Sequence, residues 1–156
     1  MNIQVLAAAV SKDPKALAES MNLRTDAIIV NQCEHYGYEE FERSGFRIQC
    51  FSMKERGVGL NRNTALLHAG GDIVLFSDED IRFYDDYAEK ISAAFAANPD
   101  ADVLTFNFKV HESRTTYYNR EERRIRWHNY GRYPTFAVAA KLESLRKANV
   151  SFSLLF

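Results

Sequence analysis

Residues 56–80 read RGVGLNRNTALLHAGGDIVLFSDED. Glycines give way to a helical stretch, and Ala69-Gly70-Gly71 closes it as a glycine stop. Four apolar side chains, Ile73 to Phe76, then run straight into Asp78, Glu79 and Asp80. An unbroken apolar run of this length reads as a strand buried on both faces. Adjacent carboxylates repel, and burying one unpaired is costly. The cluster is therefore either solvated at a turn or matched by something positive. The solvated reading also charges the start of the next helix, where Asp85 and Asp86 suit the N-terminal dipole.

The same alternation extends in both directions. IQVLAAAV (3–10) reads as a buried strand, and Asp13-Pro14 opens a helix with Asp as its cap and Pro at its first position. AIIV (27–30) and FRIQCF (46–51) are further strands. After the acidic cluster, YDDYAEKISAAF (84–95) places Tyr84, Tyr87, Ala88, Ile91 and Phe95 at helical spacing, ended by Asn98-Pro99. DVLTFNFKV (102–110) is a fifth strand, TFAVAA (135–140) another, and KLESLRKAN a short helix. Apolar strands alternating with amphipathic helices predict an α/β fold. It is Rossmann-like: a mostly parallel sheet with helices on both faces, and a hairpin or loop insertion after the fifth strand. The chain reads as one domain, 1–156. Residues 1–110 carry the alternating pattern as one half, and 111–156 begin a second half of different character.

Bulk properties fit this. The chain has 156 residues, of which 46% are hydrophobic and 26% charged, enough for one domain with a real core. A net charge of −1 gives no field suited to nucleic acid. Cys33 and Cys50 sit in or beside apolar runs and read as core residues of a reducing compartment. The N-terminus lacks a basic leader, and no apolar stretch reaches the roughly 18–20 residues of a membrane helix. These features predict a cytoplasmic protein, peripheral at most to the inner face of a membrane.

Ligands of open α/β sheets sit at the carboxyl ends of strands, where Asp78, Glu79 and Asp80 lie. On an extended segment Asp78 and Asp80 point the same way, with Glu79 turned aside. Two hard oxygen ligands suit Mn²⁺ or Mg²⁺, which take one or two carboxylates together with waters and substrate phosphates. The four histidines, His35, His68, His111 and His128, show no ligand spacing.

The segment around this cluster resembles the family 2 glycosyltransferases of the glycosyltransferase-A fold. The matching elements come in order: Arg56-Gly57-Val58-Gly59, Arg62-Asn63, Ala69-Gly70-Gly71-Asp72, Ile73 to Phe76, and Asp78-x-Asp80. The resemblance implies a nucleotide-diphosphate sugar donor and a saccharide or lipid-linked acceptor. It also implies a metal-assisted, inverting transfer in the manner of bacterial surface-polysaccharide enzymes. It makes Asp80 a metal ligand and Asp78 either a second one, through water, or a contact to the donor ribose, with Arg62 as a second positive contact to the diphosphate or base and Arg56 as a weaker one. It makes residues 1–110 the nucleotide-sugar-binding half and 111–156 the start of an acceptor-side half. Donor-binding positions implied are Ala8, Ala9, Val10, Asn31, Gln32, Arg62, Asp78 and Glu79. Ala8 to Val10 stand where the family commonly has Pro and an aromatic residue, and Asn31-Gln32 where it usually has an Asp reading the uracil N–H. An amide at that point presents donors as well as acceptors.

The family's general base lies in a segment beyond Phe156, so no catalytic base is assigned. SFSLLF (151–156) reads as an apolar tail with nothing to pack it, and the chain as a truncated form of a longer enzyme. His35-Tyr36-Gly37-Tyr38 reads as a loop at the edge of the base pocket. The run NREERRIRW (119–127) reads as a solvated face, or else as an acceptor-side flap in which Trp127 stacks on a sugar and Arg132 meets a phosphate. Two rival readings compete with this one. A haloacid-dehalogenase-type phosphatase also uses strand-Asp-x-Asp, but it expects Thr or Val where Arg82 stands. A catalytically inactive nucleotide-sugar-binding remnant or assembly subunit would bind donor and metal without transfer.

Overall fold

The structure, a computed structural model, describes residues 1–109, 118–126, 128–129 and 133–155. Seven strands form one sheet: β1 (Ile3–Val10), β2 (Asp26–Gln32), β3 (Gly37–Arg43), β4 (Phe46–Met53), β5 (Ile73–Asp78), β6 (Val103–Thr105) and β7 (Val138–Lys141). Four helices join them: α1 (Pro14–Ser20), α2 (Val58–His68), α3 (Tyr87–Ala97) and α4 (Leu142–Ala148). The strand order is β3-β4-β2-β1-β5-β7-β6. The four central strands β4, β2, β1 and β5 are parallel, and β3 and β7 run against their neighbours.

The period of two along the buried strands explains the layers. Val5, Ala7, Ile29, Ile73 and Leu75 face one side and pack with Leu17 and Met21 near α1 and with Tyr87, Ile91 and Phe95 of α3. Leu6, Ile28, Val30, Val74 and Phe76 face the other, against Ala65 of α2, Ala69 just beyond it and Leu142 of α4. β1, β2 and β5 are thus apolar on both faces, as their apolar runs require, whereas β4 buries Ile48 and Cys50 on one face and carries Arg47 and Gln49 on the other.

Several boundaries differ from the sequence reading. The segment after His35 is no loop from Gly37 onward: it is β3, paired antiparallel with β4 through a Ser44-Gly45 turn in which both residues have positive φ. Its residues YEEF lack an apolar run because β3 is the sheet edge, where charged side chains keep a strand from pairing further. The glycine stop of α2 has another cause than a left-handed cap. Ala69 caps the helix in an extended conformation, and Gly71 is required because a Cβ there would lie 2.9 Å from that of Gln4. α3 starts at Tyr87, three residues late, since Asp85 turns aside to Arg24 (3.0 Å) and Asn22 (2.8 Å). The fifth predicted strand shrinks to Val103–Thr105 because β7 offers only Val138 to Ala140 as partners; Thr135–Ala137 is a 3₁₀ turn. Both cysteines are buried and free, and burial pushes the Cys50 thiol up to about 12.

Tyr87 of α3 makes two polar contacts with the segment just before β2. The Tyr87 hydroxyl lies 2.6 Å from Thr25 Oγ1 and accepts from the Arg24 N–H at 3.1 Å. Tyr87→Phe leaves both groups short of a partner, and we expect a loss of about 1–2 kcal/mol in urea unfolding with an unchanged m-value.

Candidate functional site

The parallel strands bring Val10, Gln32, Met53 and Asp78 to one edge of the sheet. The register sets Ala8 between Val30 and Asp78, Ala9 beside Asn31, and Val10 beside Gln32. The sequence-predicted donor residues therefore do converge. What each does differs.

The three carboxylates are sorted by their partners. Asp78 ends β5, and its Oδ1 accepts from Arg62 Nη2 of α2 at 2.7 Å. This pair is half-sheltered, with the Arg62 side chain 14% exposed. Glu79 accepts from the Val10 N–H at 2.7 Å and pairs with Lys12 Nζ at 3.3 Å. Asp80 is exposed and has no hydrogen bond or ion pair among the described residues. The i, i+2 argument for a shared direction of Asp78 and Asp80 does not apply. The segment is not extended there: Glu79 and Asp80 form a turn closed by the Ile81 N–H on the Asp78 carbonyl at 3.2 Å. Glu79 is likewise not turned aside, since it ties β5 to β1.

Asn31 and Gln32 are buried and hold loops rather than project into the cleft. Asn31 accepts from the Lys12 N–H (3.1 Å) and donates to the Lys12 carbonyl (2.8 Å), so both ends of its amide are engaged. Gln32 Nε2 donates to the Gly57 carbonyl at 2.8 Å. That carbonyl also receives the Asn61 N–H at 3.0 Å, and Gly57 caps α2 with φ of 128°, a conformation that favours glycine. Ala8 is half-buried, Ala9 buried and Val10 exposed. Arg56 is paired with Glu34 at the surface, away from Asp78. Trp127 and Arg132 lie outside the described residues.

Four features escaped the sequence. Lys12 follows β1 directly, and only its position past a strand end hints at a role. Asn61 is 2% exposed; its Nδ2 donates to the Val30 carbonyl at 2.8 Å, while its Oδ1 is left without a partner. The tail is packed at Phe152, contrary to the sequence reading at that residue alone. The Phe152 ring meets Phe76 edge-on at 5.1 Å, although Leu154 and Leu155 stay exposed. A groove of about 720 Å³ opens beside Asp80 between α3 and the 106–109 segment, walled by Phe83, Tyr84, Phe106, Phe108 and Phe136.

Among the described residues no group of three or more His, Cys, Asp or Glu side chains could hold a metal alone. One free carboxylate with a second beside it in sequence fits a hard cation shared with substrate phosphates, and does not fit a site closed by protein ligands. Among the described residues no helix is long and apolar enough to cross a membrane.

Comparison with known proteins agrees with this fold. The chain is similar in fold to S. aureus TarS 1-349 in complex with UDP-GlcNAc, at a TM-score of 0.71 and 18% identity, covering 98% of this chain and 49% of that one. The unliganded TarS 1-349 gives 0.70 and 16%, covering 99% and 51%, and its complex with UDP gives 0.68 and 16%, covering 98% and 50%. The chain thus spans about half the length of these structures. No curated protein matches the sequence. The family described as Glycosyl transferase family 2 matches residues 15–147, and the chain belongs to that family.

Proposed function

We propose that the protein transfers a sugar from a nucleoside-diphosphate donor to a saccharide or lipid-linked hydroxyl, with Mn²⁺ or Mg²⁺ at Asp80 and Asp78. Asp80 carries this reading: it is the one carboxylate of the cluster without a compensating partner among the described residues, at the end of a central parallel strand. Support comes also from family membership and from the UDP and UDP-GlcNAc held by TarS structures of the same fold. A bacterial surface-polysaccharide role at the cytoplasmic face of the membrane belongs to the same proposal.

In this reading the acceptor oxygen attacks the anomeric carbon from the face opposite the diphosphate. The bond from that carbon to the diphosphate oxygen breaks, and its electron pair stays on the nucleoside diphosphate. The acceptor proton passes to a carboxylate general base. A divalent cation, when bound, neutralises charge on the departing diphosphate. Asp80 and the free oxygen of Asp78 would hold that cation. Arg62 limits the charge on Asp78, and Glu79 with Lys12 fixes the loop after β1 against which the base would lie. The aromatic walls of the groove beside Asp80 suit a sugar ring of the acceptor. The alternative reading is a donor-binding module without transfer. Release of free UDP from a donor in the presence of acceptor separates the two.

The carboxylates are predicted to respond differently to truncation. Asp80→Ala abolishes Mn²⁺-dependent UDP binding in calorimetry and shifts stability by less than about 0.5 kcal/mol, as an exposed unpaired side chain should. Equal binding by the wild type and Asp80→Ala overturns the metal assignment. Asp78→Ala also weakens binding but lowers stability, because it strands a half-sheltered Arg62. Glu79→Ala leaves the Val10 N–H and Lys12 unmatched and costs about 1–2 kcal/mol, read as a fall in Tm of about 2–8 °C.

A further inference from the structure

After α4 the chain turns at Asn149, whose φ is 50°, and runs back across α2. It is held there at both backbone groups of one residue. Asn63 Nδ2 donates to the Phe152 carbonyl at 3.0 Å, and the Phe152 N–H donates to Asn63 Oδ1 at 2.7 Å. The contact is close: a Cβ on Gly59 would lie 1.9 Å from the Ser153 carbonyl oxygen. Phe152 is thereby placed between two groups. Its ring meets Phe76 of β5 edge-on, and the Arg62 guanidinium carbon lies 5.5 Å from its centroid. Arg62 Nε is buried without a hydrogen-bond partner, while Nη2 reaches Asp78. A buried guanidinium with an unmatched N–H is poorly held by hydrogen bonds alone. An aromatic face supplies what is missing, since it attracts a cation without accepting a directional bond.

We propose that Phe152, clamped by Asn63, is a positioning residue for Arg62, and that the segment 150–153 is a strap that keeps Arg62 directed at Asp78. This deepens the donor-site reading and rests on it for its consequence. With the strap in place, Asp78 has one oxygen engaged by Arg62 and the cluster holds one free carboxylate, Asp80. With the strap lifted, Arg62 swings free and Asp78 regains an uncompensated charge beside Asp80. Gly59 is then required by the close passage of the strap over α2, and the Arg62-Asn63 pair of the sequence acquires two jobs: one residue meets the carboxylate and the next holds the strap.

The test begins on the protein without donor, so that it does not depend on the glycosyltransferase reading. Hydrogen exchange at the Arg62 Nε–H is followed by NMR in wild type, Phe152→Leu, Phe152→Tyr and Asn63→Ala. Phe152→Leu keeps apolar bulk against Phe76 but removes the ring face, and Phe152→Tyr restores it. The expected result is exchange about tenfold faster in Phe152→Leu and Asn63→Ala, with a wild-type rate in Phe152→Tyr. An unchanged rate in Phe152→Leu, with Tm retained, overturns the proposal. So does a faster rate in Phe152→Tyr equal to that in Phe152→Leu, because it would mean that loss of packing alone is responsible. Calorimetry with UDP and Mn²⁺ follows on the same variants. Binding weakened about tenfold in Phe152→Leu and rescued in Phe152→Tyr extends the positioning role to the donor. If wild type itself binds no UDP while the exchange pattern holds, the donor reading fails and the positioning role stands.

Discussion

Arg62 crosses from the second turn of α2 to the end of β5 and donates to Asp78 at 2.7 Å. The rest of the site depends on this contact. Three consecutive carboxylates at a strand end are tolerable only if their charges are separated or matched. Here they are matched from different elements: Asp78 by a helix on one face of the sheet, Glu79 by the end of β1 and the lysine that follows it. Asp80 alone is left to solvent among the described residues of the cluster. The acidic cluster is thus a junction between β1, β5 and α2 and, in the proposed function, also a place for a cation. Its two jobs are divided among neighbouring residues.

The supports of this junction are mostly backbone groups met by side-chain amides, three of them buried and Asn63 half-buried. Asn31 spans both backbone groups of Lys12, Asn61 reaches the Val30 carbonyl, Gln32 holds Gly57, and Asn63 spans both backbone groups of Phe152. An amide can donate and accept at once, so it can imitate a strand partner where loops leave the sheet and the ladder has ended. This explains why Asn and Gln occur at strand ends in this chain where an acid would be stranded. Loops set in this way cost little entropy when a ligand arrives, because their geometry is already held.

The layers were legible in the sequence because burial on two faces writes itself into a strand as an unbroken apolar run. Ile28-Ile29 and Val74-Leu75 show both faces at once, and Leu17, Ile91 and Phe95 show the helices that cover one of them. The edge strand β3 was not legible. Its outward charges and mixed pattern come from having a neighbour on one side only, which no local residue announces. Helix and strand ends were misplaced by a few residues wherever a distant partner decided them, as Asp85 with Arg24 decides the start of α3.

By itself the sequence determined the fold class, the order of the central strands' supporting helices and the position of the acidic cluster at a strand end. These follow from local periodicity and from glycines and prolines acting on their own neighbours. Only the tertiary structure decided which carboxylate is free. Residues 78, 79 and 80 carry the same chemical group at adjacent positions, and nothing in their spacing distinguishes them. Their difference arises from Arg62, Lys12 and the Val10 N–H, which lie 16, 67 and 69 positions away in the chain and meet them only when the sheet is assembled. The same holds for Phe152, an ordinary aromatic in an apolar tail until the fold sets it against Arg62.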